Sequence, residues 1–269
     1  MFSKLSKSFA SELNALTQLK QQLDAQKIAV HDFTQAVTGE RNVQFPDEIL
    51  QQAVGDGLER AKFYRPHALG QWTARQAVQA FYAERHVKVA AEHILMTPGS
   101  SLAYWYLFRL LANPGDEILC PVPTYPLFDF IAQMADVNIR HYPIKEFSEK
   151  PFWRSRVSDI EDRITTKTKA IIIVSPHNPT GWVADAEFLK ELGEVAKRHQ
   201  IAIIHDEVFS EFCFEHETLP RLQNTAAPLV FSINGISKNF ALPGMKLGWV
   251  AAHGEKKQCG TSDGTPGIF

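Results

Sequence analysis

Two hydrophobic patterns alternate along this chain. Short apolar runs, one of them with four successive β-branched residues, recur through its middle and later parts. They are "HILMTPG" from His93, "PGDEILCP" from Pro114, "VNIRHY" from Val137, "KAIIIV" from Lys169, "IAIIHDE" from Ile201, "PLVFSIN" from Pro228 and "LGWVAA" from Leu247. Runs of this length bounded by Gly, Pro, Asn or Asp read as buried strands. Between most of them lie stretches with helical spacing: a segment through Leu102, Trp105, Leu107 and Leu111, then "YPLFDFIAQMA", "SRVSDIEDRI" and "DAEFLKELGEVAKRH". Strand candidates separated mainly by helices predict an α/β fold, with a mostly parallel seven-stranded sheet covered by helices on both faces. At the start, Phe2, Leu5, Phe9, Leu13, Leu16 and Leu23 recur by threes, fours and sevens. That is one face of a helix and not the continuous apolar core of a signal peptide.

Composition narrows the partners. The 269 residues are 45% hydrophobic and 22% charged, ordinary for a folded domain with a substantial core. A formal net charge of -2 gives no electrostatic reason to expect nucleic acid or an anionic membrane, so small molecules are the expected partners. Cys120, Cys213 and Cys259 are odd in number and in no paired-motif spacing, which points away from a disulfide framework or zinc site and towards a reducing, cytoplasmic setting. No segment approaches the roughly 18 consecutive apolar residues of a membrane span.

In open α/β sheets, ligands bind beyond the carboxyl ends of the strands. At those junctions the sequence presents "TPGSS" (Thr97 to Ser101), "PTYP" (Pro123 to Pro126), "SPHNPTG" (Ser175 to Gly181), "HDEVF" (His205 to Phe209) and "ISK" (Ile236 to Lys238), and their polar groups are expected to converge. "TPGSS" reads equally as a capped turn or as an anion site at a helix N-terminus. Asn178, by itself, is a loop residue in a strong turn signal. Asp206 directly ends an apolar run, where a carboxylate needs a partner. His205 points the other way along the strand and reads as a core histidine. Lys238 at a buried strand end needs a partner or a lowered pKa, the setting of Schiff-base lysines.

In this order and spacing, "TPGSS", "PGDEILCPVPTYPLF", "SPHNPTG", "DEVF" and "GISKNFALPGMKLGW" resemble the class I/II aminotransferases, pyridoxal phosphate enzymes of the aspartate aminotransferase fold. The likeness covers roughly Val30 to Ala252. It implies pyridoxal 5'-phosphate as cofactor and transfer of an amino group from an amino acid to a 2-oxo acid. Lys238 would form the Schiff base and shuttle protons, Asp206 would face the pyridinium nitrogen, and Asn178 would donate to the phenolic oxygen. Tyr125 would stack on the ring, Gly99, Ser100 and Ser101 would cradle the phosphate, and Tyr64 would reach the phosphate of a neighbouring subunit, implying a homodimer. No metal is implied. The domain division it suggests is residues 1–50 as an N-terminal helix and part of an incomplete small domain, 51–252 as the cofactor-binding large domain, and 253–269 as a non-family tail.

Several positions depart from the family pattern. Lys246 stands where an arginine usually forks onto the phosphate, and Gly235 where a serine usually contacts it, with Ser237 as a substitute donor. Phe209 replaces a tyrosine near the phenolic oxygen. After "LGWVAA" the chain continues as "HGEKKQCGTSDGTPGIF", in place of the segment that supplies the carboxylate-binding arginine; Arg75 and Arg221 do not match that motif. The expectation is a truncated or frame-shifted product, family-like to about Lys257. Two readings stand beside the aminotransferase: a carbon-sulfur β-lyase of the same fold, suggested by the "PHNP" loop, and a catalytically impaired cofactor-binding product.

Overall fold

The computed structural model describes residues 15–31, 44–150, 152–214 and 219–254. Two compact units divide the chain, residues 1–44 and 45–269. In the first, helix α1 (Ala15–Ala25) forms within the predicted amphipathic stretch and has no buried residue. The positions before Ala15 and after Gly254, including the start of that stretch and most of the tail, lie outside the described residues.

The second unit begins with α2 (Asp47–Ala61) and α3 (Trp72–Ala83) and is built on one seven-stranded sheet. Its elements in chain order are β1 (Ile94–Thr97), α4 (Ser100–Leu111), β2 (Glu117–Val122), α5 (Leu127–Ala135) and β3 (Asn138–Pro143), followed by a small hairpin of β4 (Lys145–Glu146) and β5 (Trp153–Arg154). Then come α6 (Val157–Glu161), β6 (Thr168–Val174), α7 (Ala186–His199), β7 (Ala202–Asp206), β8 (Leu229–Gly235), α8 (Ile236–Asn239) and β9 (Gly248–Gly254). Strand order is β1-β9-β8-β7-β6-β2-β3, with β9 antiparallel to both neighbours and the remaining pairs parallel. The predicted α/β sheet is thus the observed one, and each of the seven apolar runs supplies one strand.

Alternation along each strand explains the two covered faces. In β6, Ala170, Ile172 and Val174 join the cluster under α4 and α5, whereas Ile171 and Ile173 join the cluster under α6 and α7. A strand buried on both sides needs apolar residues at every position, which is why β6 reads as an unbroken run. Local signals set the helix ends: Asp185 caps α7 by accepting from Phe188 N–H at 2.8 Å, and Gln200 closes it in the left-handed conformation.

Two features differ from the sequence reading. Strands β4 and β5, two residues each, are too short to show a period-two pattern. In α4 the buried face is Ala103, Tyr104, Leu107 and Phe108, while Leu102 and Leu110 are exposed. The helix is apolar nearly all round, so spacing alone does not reveal which stripe faces the sheet.

Candidate active site at the carboxyl edge of the sheet

Register brings the predicted junctions together. Val174, Asp206 and Ile233 are aligned across β6, β7 and β8, and the parallel pairing of Leu119 with Ile171 carries Val122, the end of β2, to the same level. Gly248 lies opposite Gly235 on one side and opposite Thr97 on the other. The chain therefore leaves β1, β2, β6, β7 and β8 along one edge. That edge carries Gly99, Ser100, Ser101, Tyr125, Asn178, Asp206, Ser237 and Lys238, and Lys246 sits just ahead of β9. Tyr64 is not on it: it lies between α2 and α3, 93% exposed.

The turn after β1 leaves the start of α4 open. Gly99 adopts φ +93°, a conformation that favours glycine, and no side chain caps the first turn of the twelve-residue helix that follows. The leading amides of α4 are thereby left to an outside acceptor at the positive end of the helix. A Cβ on Gly248 would stand 3.0 Å from Asn234 O and 3.1 Å from both Gly99 C and Ser100 N. Glycine at 248 lets β9 run closely beside the Gly99–Ser100 turn.

Asp206 is buried at the end of β7, and both carboxylate oxygens are engaged. Tyr104 on α4 donates its hydroxyl to Oδ2 at 2.5 Å, and the Val208 N–H donates to Oδ1 at 2.9 Å. Burial pushes this carboxyl above its usual range, opposed by those two hydrogen bonds and by His205. The next residue behaves oppositely. Glu207, just past the end of the strand, accepts from Arg221 Nε at 3.2 Å and Gln223 Nε2 at 3.3 Å, with His205 Nδ1 3.3 Å from Oε1. Burial would raise its pKa, but His205 and Arg221 outweigh that and hold it at about 2.

Lys238 is half-buried on α8, directly after β8, with Nζ 5.9 Å from the Phe209 ring centroid. Burial lowers its pKa, since the charged ammonium loses hydration. A short polar network anchors the helix that bears it. Asn234 Oδ1 accepts from Gly235 N–H at 2.7 Å and Asn239 Nδ2 at 2.9 Å. Ser210 Oγ accepts from Asn239 Nδ2 at 3.1 Å and Asn234 Nδ2 at 3.3 Å. The helix that bears the amine is thereby tied to the segment that follows Asp206.

Residues 37–269 match the family described as aminotransferase class I and II. The chain belongs to that family. It is 33% identical over 216 residues to the glutamate-pyruvate aminotransferase AlaA of Escherichia coli, covering 79% of this chain and 52% of that protein. To the tyrosine aminotransferase of Dictyostelium discoideum it is 34% identical over 200 residues, covering 74% and 47%. Its fold matches the alanine aminotransferase from Pyrococcus furiosus with a TM-score of 0.84 at 25% identity, over 96% of this chain and 65% of that one. The chain spans about half the length of the curated relatives it matches.

Class I/II aminotransferases use pyridoxal phosphate, and the residues at this edge fit such a group. An uncapped helix start suits its phosphate, a buried carboxylate suits a ring cation, and a lysine of lowered basicity suits its carbonyl. Sequence reasoning missed Tyr104, Gly248 and the Asn234–Ser210–Asn239 network. Of these, only Gly248, the glycine of "LGW" ten residues after Lys238, carried a local signal.

Proposed function

We propose that this chain is a pyridoxal phosphate-dependent aminotransferase that moves an amino group from an amino acid to a 2-oxo acid, with residues 51–252 as its cofactor-binding domain. One observation carries the reading. A buried carboxylate, Asp206, and a lysine of lowered pKa, Lys238, lie at one sheet edge with an uncapped helix N-terminus. The cofactor supplies a carbonyl for the amino acid and an electron sink for the bond that breaks. Lys238 would hold it covalently and carry a proton at Nζ, a task that lowered basicity favours near neutral pH. Asp206 would keep the ring nitrogen protonated by opposing charge. Gly99, Ser100 and Ser101 would bind the phosphate, Ser237 and Lys246 would add to that binding, Asn178 would orient the ring from the side of β6, and Tyr125 would cover its face.

A cytosolic homodimer accompanies this reading. Support comes from α2, where Leu50, Val54 and Leu58 recur every four residues although the helix has no buried residue. Among the described residues no helix is long and apolar enough to cross a membrane.

The test is borohydride reduction of the protein with pyridoxal phosphate, peptide mapping, and assay with amino acids and a 2-oxo acid, with sedimentation giving the subunit count. Label on Lys238, amino transfer dependent on the 2-oxo acid and a dimer mass are expected. Pyruvate and ammonia formed without an acceptor would make it a β-lyase, label without turnover would leave a cofactor-binding product, and no label on Lys238 would overturn the proposal.

A further inference from the structure

We propose that Tyr104 is a positioning residue for this reaction: its hydroxyl fixes the plane of the Asp206 carboxylate and helps it remain ionised inside the sheet. The inference rests on the proposed function, because it assigns Asp206 to the cofactor's ring nitrogen.

Packing does not require the hydroxyl. Tyr104 is 3% exposed, and its ring sits edge-on to Phe128 at 4.8 Å and Phe108 at 6.1 Å between centroids, contacts that a phenylalanine would keep. A buried phenol is costly unless paired, and its partner here is Asp206 Oδ2. With Val208 N–H on Oδ1, the two donors leave the carboxylate one orientation. Tyr104 also lies on the helix that starts at the Gly99–Ser100 turn, so one rigid element sets both the proposed phosphate site and the carboxylate.

The charged and titratable neighbours support this arrangement. His205 on the same strand and Glu207 just past its end act on Asp206 in opposite senses, and Lys238 lies beyond the end of the adjoining strand. Cys120 from β2 and Tyr142 from β3 are the other titratable groups that act on the Tyr104 hydroxyl, and burial pushes both upward, so neither supplies charge near neutral pH. Tyr104 itself is raised well above its usual range, chiefly by burial and then by Asp206, and remains a donor.

The experiment uses Tyr104→Phe, Asp206→Asn and the double variant. Infrared carbonyl titration of the protein without cofactor, with the Asp206 band identified by its loss in Asp206→Asn, is expected to show that carboxyl titrating at higher pH in Tyr104→Phe. Pyridoxal phosphate binding, followed by fluorescence across pH, is expected to weaken about ten-fold on the acidic side in Tyr104→Phe, the scale of one hydrogen bond to a charged group. Adding Tyr104→Phe to Asp206→Asn is expected to leave the pH profile unchanged. Superimposable titrations of wild type and Tyr104→Phe would overturn the proposal. If Tyr104→Phe does not fold, the wild type decides: an ionised Asp206 at pH 7.5 supports the proposal, and a protonated one overturns it. Wild type that labels Lys238 while Tyr104→Phe binds with the same profile defeats the Tyr104 inference alone, whereas wild type that binds no pyridoxal phosphate defeats both.

Discussion

In the proposed phosphate site, the side chain at position 246 would set the grip. Lys246 lies just ahead of β9 with φ +51°, after the tight turn Pro243–Met245, and its side chain is exposed. An ammonium offers a single point of charge, whereas a guanidinium offers two parallel donors to a phosphate. Lys246→Arg is therefore expected to lower the dissociation constant for pyridoxal phosphate by about ten-fold, the scale of one added charge-assisted hydrogen bond. Equilibrium dialysis of both proteins reads this, and unchanged retention would remove residue 246 from the phosphate site. Lys238 and Asp206 were legible at this scale because charge at the end of an apolar run demands an explanation. Tyr104 was not: 102 residues separate it from Asp206, and in a helix apolar nearly all round it reads as one more core residue.

At the scale of elements, the pairing of β8 with β9 explains the glycine that departs from the family pattern. Gly235 is extended, so backbone conformation does not require glycine there; space does. A Cβ at 235 would stand 2.9 Å from Leu247 O and 3.1 Å from Gly248 Cα, both backbone atoms of the facing strand or its approach. Gly235→Ser would restore the family's usual residue and yet is expected to destabilise the fold by about 1–3 kcal/mol, the cost of overpacking. A urea midpoint equal to that of the wild type would show that the strands part freely. The seven strands were legible for a related reason, since burial on both faces leaves a continuous apolar run. The β4–β5 hairpin was not, because a two-residue strand contains no period and its pairing depends on residues brought together by the chain around it.

Across the whole molecule, buried titratable groups tie the fold to pH. His177, 3% exposed in the "SPHNPTG" loop, is held by Thr180 Oγ1 at 2.9 Å from Nδ1, and burial lowers its pKa from 6.5 to about 4. His253 is lowered to about 4, again mainly by burial. A histidine whose folded pKa is depressed binds fewer protons than in the unfolded chain between those two values. Its contribution is complete above pH 6.5 and is lost as pH falls through about 4. For His177 the loss is on the order of 3 kcal/mol. Glu207, lowered from 4.5 to about 2, extends the decline further, since its contribution is present above pH 4.5 and disappears as pH falls through about 2. Urea unfolding is therefore expected to show a fall in midpoint between pH 6.5 and 4 from the histidines and a further contribution below pH 4.5 from Glu207. Asp206 partly opposes this, because its raised carboxyl takes up a proton more readily in the folded state as pH falls. Replacing His177 with Gln, which keeps a polar group for Thr180 but does not titrate, should flatten the first part of that decline while leaving the second. Midpoints unchanged from pH 7 to 4 would mean that these histidines take up protons without opening the fold, and the loop carrying Asn178 would then be looser than its hydrogen bonds imply.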